Sequence, residues 1–262
     1  MIDIHSHVLW GLDDGAASLE DSLAMARDAA STGTTDMVAT PHLNARFEYR
    51  PELVTERVAE LAQGLGGLGS GPRLHRGCEF HLNFDNIDHL LEQPSTYTIN
   101  GGPYLLLECP DLHLGKHMER IFERLFEARI TPIIAHPERN PLLRQKPEKL
   151  EEWVELGCLT QLTALSITGG FGGSAKSASA RLLAKGLAHV VASDAHDPVR
   201  RHPRMDEAYR AVRAHFGEDR AQLLFEETPR GIIEGRPVAG GKQRGWEPEP
   251  RRFLFWKGRS PD

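Results

Sequence analysis

Short apolar segments alternate with amphipathic stretches along most of this 262-residue chain. Most of the segments hold about four to eight β-branched or aliphatic residues, which is typical of strands buried on both faces of a parallel sheet. The stretches between them place apolar residues at helical spacing, as Leu19, Leu23 and Ala26 do in the first one. The predicted strands span residues 1–5, 35–42, 74–82, 104–110, 130–138, 158–166 and 188–196, and helices are predicted over residues 19–31, 51–61 and 116–128.

Seven strand–helix units of this kind favour an α/β fold whose parallel strands close, or nearly close, into a barrel. An open, doubly wound sheet is the alternative. No Gly-x-Gly-x-x-Gly motif follows the first predicted strand, which argues against the nucleotide-binding form of that open sheet. The composition changes near residue 240 to Gly, Pro and Arg, so we expect one domain over residues 1–239 and a tail over residues 240–262.

The composition argues against several classes of protein. Lys and Arg number 31 against 37 Asp and Glu, and the formal net charge of -6 disfavours a basic nucleic-acid-binding surface. No apolar run approaches the roughly 18 residues of a membrane helix, and the first ten residues lack the basic and apolar stretches of a signal peptide. Three cysteines are too few for a disulfide framework. We therefore expect a cytoplasmic protein that neither binds nucleic acid nor inserts into a membrane.

Histidine, aspartate or glutamate, the residue types that commonly bind metal ions, lie at the end of nearly every predicted strand. Because the carboxyl ends of parallel strands open on one mouth of an α/β barrel, these side chains should converge there. Side chains two apart on a strand point the same way, so His5 and His7 can share one ion, as can Asp194 and His196. The set comprises His5, His7, His42, Glu79, Glu108, His136, Asp194 and His196.

Ordinary surface or core histidines are the alternative explanation for any single His-x-His pair. That alternative does not account for acids at the ends of apolar strands, such as Glu108 after Leu-Leu-Leu, because an unpaired carboxylate is costly to bury. Eight groups exceed what one ion needs, which predicts more than one ion. Imidazole and carboxylate without thiolate favour manganese, iron or zinc over a structural cysteine-type zinc site.

Six segments within residues 1 to about 203 carry a family resemblance, and they read MIDIHSHVLWGLDDGA, VATPHLN, GCEFHL, LLLECP, PIIAHPERN and ASDAH. The opening His-x-His followed by Asp-Asp-Gly, with His-Pro-Glu-Arg later, is more specific than any one motif. In these segments, in this order and spacing, the chain resembles the PHP (polymerase and histidinol phosphatase) superfamily. Within it, the resemblance is to the manganese-dependent protein-tyrosine phosphatases of bacterial capsule and exopolysaccharide operons.

This resemblance implies a distorted (β/α)7 barrel that holds two or three divalent ions, with manganese as the first choice and iron or zinc as alternatives. Of the adjacent Asp13 and Asp14, the second matches the family's ligand, which leaves Asp13 to support a ligand. The implied ligands are His5, His7, Glu79 and Asp194 for the first ion, Glu79, Glu108 and His136 for the second, and Asp14, His42 and His196 for the third.

A phosphate also needs cationic donors, and the resemblance implies two arginines near the ligands. Arg139 and Arg201 are the matching residues, and the planar fork of a guanidinium suits phosphate oxygens. Arg200 is an alternative to Arg201. The chain departs from the family's pattern at QLTALSITGGFGG, after the sixth predicted strand, and His81 matches no ligand.

The implied function is hydrolysis of phosphotyrosine on a protein, in particular a bacterial tyrosine autokinase of capsule synthesis, by metal-activated water. No Cys-x5-Arg motif is present, which excludes the thiol-phosphatase mechanism. A phosphatase of histidinol phosphate or another small molecule is the alternative enzyme. An amidohydrolase is disfavoured, because the fourth predicted strand ends in Glu108 where that group often has a lysine. A silent metal-binding module is the non-enzymatic alternative, and a homo-oligomer is compatible with the sequence.

Overall fold

Parallel strands alternate with helices, as the apolar segments predict. The computed structural model describes residues 1–66, 71–82, 86–110 and 118–242. Within these ranges the strands are β1 (Ile2–Ser6), β2 (Asp36–Ala39), β3 (His42–Leu43), β4 (Arg73–Arg76), β5 (Glu79–His81), β6 (Tyr104–Glu108), β7 (Thr131–Ala135), β8 (Leu159–Thr163) and β9 (Val190–Ala192).

The second and third predicted strands are each divided into two short strands, so the prediction of seven uninterrupted strands is wrong there. The two breaks lie side by side, because the Gly77 N–H donates to the Ala39 carbonyl at 2.8 Å. Just beyond them, the Glu79 N–H donates to the Pro41 carbonyl at 3.1 Å. Pro41 has no N–H to give to a ladder, and Gly77 runs so close to Val38 that a Cβ would lie 3.1 Å from its Cγ1.

The strands form two parallel sheets, in the orders β1-β2-β4 and β3-β5-β6-β7-β8-β9. The carboxyl ends of β1 and β9 also meet. Ser6 forms a parallel bridge with Ala195, and the His7 N–H donates to the Ala195 carbonyl at 2.8 Å. The Asp194 N–H donates to the His5 carbonyl at 2.8 Å. The fold is therefore α/β with parallel sheets, and it brings the first and last strand ends together.

Helices connect the strands, and the first one begins and ends where the sequence predicts. The Ser18 side chain accepts a hydrogen bond from the Asp21 N–H at 3.2 Å, which caps α1 as expected. The helices are α1 (Leu19–Ser31), α2 (Pro51–Gly64), α3 (Ile87–Glu92), α4 (Pro94–Tyr97), α5 (Met118–Glu127), α6 (Pro141–Gln145), α7 (Pro147–Leu156), α8 (Ala164–Thr168), α9 (Gly172–Ala184), α10 (Asp206–Phe216), α11 (Glu218–Gln222) and α12 (Thr228–Ile233), with a 3-10 turn at Ile99–Gly101 and a π-helical turn at Leu223–Glu227.

Successive residues of a strand pack on opposite faces of the sheet. In β6, Leu106 belongs to an apolar cluster that contains Ile232 of α12, whereas its neighbour Leu107 belongs to the cluster that contains Phe122 of α5. Glu108 follows at the carboxyl end of β6, on the same face as Leu106, because side chains two apart share a face. That face therefore changes from apolar core to polar groups at the strand end.

The described residues contain no helix that is both long and apolar enough to cross a membrane. Of the tail predicted over residues 240–262, positions 243–262 lie outside the described residues. The residues just before them contact the sheet through His189, which directly precedes β9. Its Nε2 lies 3.0 Å from the Gly241 carbonyl oxygen.

His189 is buried, and its contacts require the neutral ring. Its Nδ1 accepts a hydrogen bond from the Thr160 N–H at 3.1 Å, so its Nε2 carries the proton and donates to the Gly241 carbonyl. Burial is the main cause that lowers the pKa of His189 to about 4. In the unfolded chain the pKa is about 6.5. Between these values the unfolded chain binds a proton that the folded protein does not.

We predict that this histidine makes the protein less stable as the pH falls from about 6.5 to 4. Its contribution to the free energy of unfolding is complete above pH 6.5 and decreases by up to about 3 kcal/mol, since each pKa unit corresponds to about 1.4 kcal/mol. His189→Asn keeps an acceptor for the Thr160 N–H but does not titrate. Urea unfolding at several pH values should show the parent losing stability relative to this variant, and a constant difference would contradict the prediction.

Candidate metal centre

All nine residues predicted as metal ligands lie close together. Most of them end or follow a strand, whereas His42 and Glu79 begin the short second halves of the two divided strands. The nine residues form four overlapping groups, and within each group one ligand atom per residue lies within 4.8 Å of the others. The groups are His7, Asp14, His42 and His196; His5, Glu79 and His136; His5, His7 and Asp194; and His42, Glu79 and Glu108.

Glu79, the first residue of β5, lies at the middle of this cluster and is fully buried. Its Oε2 lies 3.3 Å from His5 Nε2, 3.2 Å from His7 Nε2 and 2.9 Å from His42 Nδ1. Its Oε1 lies 2.8 Å from His136 Nε2. Burial alone would raise the pKa of Glu79, but the surrounding histidines hold it well below its usual range. This carboxylate, with four imidazoles around it, therefore lies at the centre of the candidate ligand set.

Asp194 follows β9 and divides its two oxygens between different partners. Its Oδ1 lies 3.4 Å from His5 Nε2, 3.5 Å from His7 Nε2 and 3.6 Å from His196 Nδ1. Its Oδ2 faces arginine. Burial would raise the pKa of this carboxyl, and His5, His7 and Arg201 keep it well below the usual range. Asp194 is thus ionised and buried at once.

Two of the candidate ligands have left-handed backbone, which residues with a side chain rarely adopt. His136 has φ 31° and Asp194 has φ 51°. Hydrogen bonds hold both conformations: the Arg139 N–H donates to the His136 carbonyl at 2.9 Å, and Asp194 N–H donates to the His5 carbonyl. Strain of this kind persists where the surrounding structure enforces it, and it is common at functional sites.

Asp14 lies at the exposed edge of the cluster, on the loop between β1 and α1. Its Oδ1 lies 3.4 Å from His42 Nε2 and 3.6 Å from His196 Nε2. Burial and the nearby His7 lower the pKa of His196 to about 2, so its ring is neutral. A neutral imidazole is the form that binds a metal ion.

Asp13, next to Asp14, supports the cluster from outside. Its Oδ2 accepts from His7 Nδ1 at 2.6 Å and from the His42 N–H at 3.0 Å, and its Oδ1 accepts from the Gly15 N–H at 2.9 Å. Burial would raise the pKa of Asp13, but His7 keeps it well below the usual range. Only glycine fits at position 15, because a Cβ there would lie 2.2 Å from the His7 carbonyl oxygen. The two aspartates therefore have different surroundings.

Gln161 of β8 is a residue that sequence reasoning missed. Its Oε1 lies 2.9 Å from His5 Nδ1 and 3.3 Å from the His136 N–H that donates to it. The sequence feature that could have identified Gln161 is its position: it lies two residues after Leu159, on the strand that lacked a predicted ligand. His81, which matched no ligand, places Nδ1 2.9 Å from Glu108 Oε2.

Both predicted arginines reach this cluster. Arg139 Nη1 and Arg201 Nη2 each donate to Asp194 Oδ2, the latter at 2.7 Å. Arg201 Nη2 also donates to the Asp194 carbonyl at 3.2 Å. Burial would lower the pKa of Arg139, but Asp194 raises it further above its usual value. Arg200 is exposed, and its N–H donates to Asp197.

The donor atoms fit a set of metal ions. The Nδ1 atoms of His5 and His7 face the oxygen acceptors Gln161 and Asp13, and their Nε2 atoms face each other at 3.2 Å, so these Nε2 atoms would bind an ion once they have lost their protons. The buried His196 Nε2 atom has no hydrogen-bond partner among the described residues, and Glu79 Oε2 and His42 Nδ1, although 2.9 Å apart, are not aligned for a hydrogen bond with each other or with any other described group. Buried polar atoms rarely stay unpaired, and a coordinated cation would satisfy these.

The comparisons with known sequences agree on one family. A family model described as capsular polysaccharide synthesis, CpsB/CapC, matches residues 1–234 of this chain. Tyrosine-protein phosphatase YwqE of Bacillus subtilis is 35% identical over 229 residues, which cover 87% of this chain and 90% of that protein. Tyrosine-protein phosphatase CpsB of Streptococcus pneumoniae is 30% identical over 239 residues, which cover 89% of this chain and 98% of that protein.

Solved structures share the fold. One from work on YwqE of Bacillus subtilis and CpsB of Streptococcus pneumoniae, described as metal-dependent tyrosine phosphatases, matches with a TM-score of 0.87 and 32% identity, covering 96% of this chain and 100% of that chain. A lactonase from Listeria monocytogenes matches with a TM-score of 0.59 at 12% identity, covering 90% of this chain and 95% of that chain. The second likeness concerns the fold alone.

We predict that the protein binds more than one metal ion per chain, and that Glu79→Gln removes about one ion or more. The nine donor groups exceed the about four to six that one ion uses, and Glu79 contacts four of the histidines. The measurement is elemental analysis after saturation with Mn²⁺ and dialysis. Glu127→Gln, an exposed change on α5, is the matched control. One ion or fewer in the parent, or an unchanged content in Glu79→Gln, would refute this prediction.

Proposed function

This chain belongs to the CpsB/CapC family of capsular polysaccharide synthesis, and we propose that it is a metal-dependent phosphatase that hydrolyses phosphotyrosine on a protein. One observation carries the proposal: the buried carboxylate of Asp194 faces candidate metal ligands with one oxygen and two arginines with the other. Metal ions and guanidinium groups around one point are a combination that binds a phosphate ester.

The proposed fold is the distorted (β/α)7 barrel of the PHP superfamily. In its support, the strands are parallel, and β1 contacts β2 on one side and the end of β9 on the other. The Gly77 N–H donates to the Ala39 carbonyl and the Glu79 N–H to the Pro41 carbonyl, so the pairing of β2 with β4 leads past the breaks directly into the pairing of β3 with β5. We propose residues 1–239 as the phosphatase domain and residues 240–262 as a tail.

We propose two or three divalent ions, with manganese first and iron or zinc as alternatives. The mixture of imidazole and carboxylate donors, without thiolate, supports this choice. When bound, such ions polarise phosphoryl oxygens and lower the pKa of water. The ligands proposed from the family resemblance are His5, His7, Glu79 and Asp194 for the first ion, Glu79, Glu108 and His136 for the second, and Asp14, His42 and His196 for the third. Close approaches within each set support this assignment.

Arg139 and Arg201 bind the oxygens of the phosphoryl group in this proposal. Their side chains are roughly a quarter exposed, whereas the Asp194 side chain they share is buried. Donors that are already oriented stabilise the charge that develops in the transition state without first having to rearrange. Because Asp194 holds both arginines, it keeps these donors beside the metal ligands.

The nucleophile is water rather than a thiol. Cys78, Cys109 and Cys158 are all buried, and burial raises the pKa of the Cys78 and Cys158 thiols, so neither is a thiolate at neutral pH. A phenolate leaves more readily than an alkoxide, because the pKa of tyrosine is about 10. Phosphotyrosine therefore depends less on a general acid than phosphoserine does.

The proposed partner is a phosphotyrosine protein of capsule or exopolysaccharide synthesis, in particular a bacterial tyrosine autokinase. The relatives named above as tyrosine-protein phosphatases support this choice. We also propose a cytoplasmic location, with neither membrane insertion nor nucleic-acid binding, and the formal net charge of -6 supports the latter. Assembly into a homo-oligomer stays a prediction.

The proposed function is tested by assaying chelated protein reloaded with Mn²⁺, Fe²⁺, Zn²⁺ or Mg²⁺ on a phosphotyrosine peptide and on histidinol phosphate in parallel. We expect hydrolysis of the peptide, lost on chelation and restored best by Mn²⁺. Preference for histidinol phosphate would indicate a small-molecule phosphatase on the same ligands. No hydrolysis of either substrate with any metal would indicate a silent metal-binding module.

We predict that Arg139→Ala lowers kcat by roughly 10²–10³ without changing the metal content, because one charged donor to the transition state is lost. Arg139→Lys should restore only part of the activity, since an ammonium cannot make a two-pronged contact. Arg201→Ala should have a milder effect. The measurement is kcat and KM for the phosphotyrosine peptide together with elemental analysis.

The control for these variants is Arg200→Ala, which removes an exposed arginine next to Arg201 and should leave kcat near that of the parent. Normal kcat and KM values in Arg139→Ala would contradict the proposal that Arg139 binds the phosphate. Loss of metal from that variant would mean that the arginine supports the cluster rather than the substrate.

A further inference from the structure

Phe171 lies against both arginines of the candidate site. The guanidinium carbon of Arg139 lies over its ring, 4.2 Å from the centroid, and that of Arg201 lies 5.6 Å from the same centroid. The same two arginines donate to Asp194 Oδ2. One aromatic ring and one carboxylate therefore hold both guanidinium groups.

The segment that carries Phe171 otherwise consists of glycine. Residues 169–173 read Gly-Gly-Phe-Gly-Gly, between the end of α8 and the first turn of α9. Gly169 and Gly172 have φ of 104° and 85°, where a side chain would be strained. A Cβ on Gly170 would lie 3.0 Å from Leu165 Cδ2. The glycines let the chain turn tightly, and Phe171 is the one side chain that the turn presents.

Stacking on a ring and hydrogen bonding use different parts of a guanidinium group. The ring takes the flat face, whereas the N–H groups point outward from the edge. Asp194 is contacted by one terminal nitrogen of each arginine. The Nε of Arg201 is buried and has no hydrogen-bond partner among the described residues. A ring orients such donors without using them, whereas a second acid would occupy the N–H groups that a phosphate needs.

We propose that Phe171 is a positioning residue, whose ring fixes the planes of Arg139 and Arg201 so that their unused N–H groups face a phosphate bound at the metal centre. The identification of the ligand as a phosphate rests on the proposed function. The role requires an aromatic face rather than apolar volume alone, because a leucine has no ring quadrupole to attract a cation.

The test is the binding of inorganic phosphate to the Mn²⁺-loaded protein, measured by calorimetry. Phe171→Leu should raise the Kd for phosphate about 5- to 10-fold, in the range of a partly desolvated cation–π contact. Phe171→Tyr keeps the ring and should stay within about twofold of the parent. Metal content and the melting temperature are measured for each variant, so that loss of the fold or of the ions is detected.

The matched control is Phe126→Leu, the same change at a half-buried phenylalanine of α5 that packs near Gly157. Gly157 precedes β8, so this contact lies at the amino end of the strands, away from the candidate site, and phosphate binding should not change. In an Arg139→Ala background, Phe171→Leu should have a smaller effect than in the parent, because one of the two stacked cations is absent.

Three results would overturn the proposal: a normal phosphate Kd in Phe171→Leu, an equal loss in Phe171→Leu and Phe171→Tyr, or an undiminished effect in the Arg139→Ala background. Phosphate binding does not require turnover. A parent protein that is inactive on phosphotyrosine would therefore overturn the proposed function, while the phosphate comparison would still decide the role of Phe171.

Discussion

The rest of the site depends on how the charge of Glu79 is balanced. Its carboxylate is fully buried, and four histidines surround it. An ionised carboxylate in such a place is costly unless cations or hydrogen-bond donors compensate it. The four carboxylates of the candidate ligand set outnumber the two arginines beside them, so the cluster carries a negative formal charge when its histidines are neutral. Divalent ions would neutralise that charge and satisfy the unpaired ligand atoms together.

The parallel sheet makes such a concentration of polar groups compatible with a stable fold. The face that carries Leu106 is apolar, and Glu108 stands on it at the strand end. The polar cluster therefore forms a layer above the core rather than interrupting it, and each ligand needs only one strand or loop to place it. Placing ligands at the strand ends strains the backbone locally, since His136 and Asp194 have left-handed conformations. Hydrogen bonds with neighbouring residues hold these conformations.

The periodicity of the apolar residues and the position of polar residues at strand ends predict much of the fold and of the candidate site. The strand-end rule places residues such as Glu108 and His136 at one mouth, because it needs only the direction of each strand. It could not predict the paired breaks at Pro41 and Gly77, since those depend on two strands lying side by side. Nor could it find Gln161, whose contact with His5 joins residues 156 apart in the sequence. The position of Gln161 near the end of β8 is visible in the sequence, but its partners follow from the tertiary arrangement.

Asp194 joins the two halves of the proposed chemistry, and its geometry gives them an order. One oxygen faces His5 and His7, and the other faces Arg139 and Arg201. A cation on the histidine side would draw electron density from the carboxylate and weaken its hold on the arginines. The guanidinium groups would then be freer to pair with a phosphate, while Phe171 would still limit their movement. A single buried carboxylate thus links the candidate metal ligands to both arginines, so a change at either side of Asp194 acts on the other.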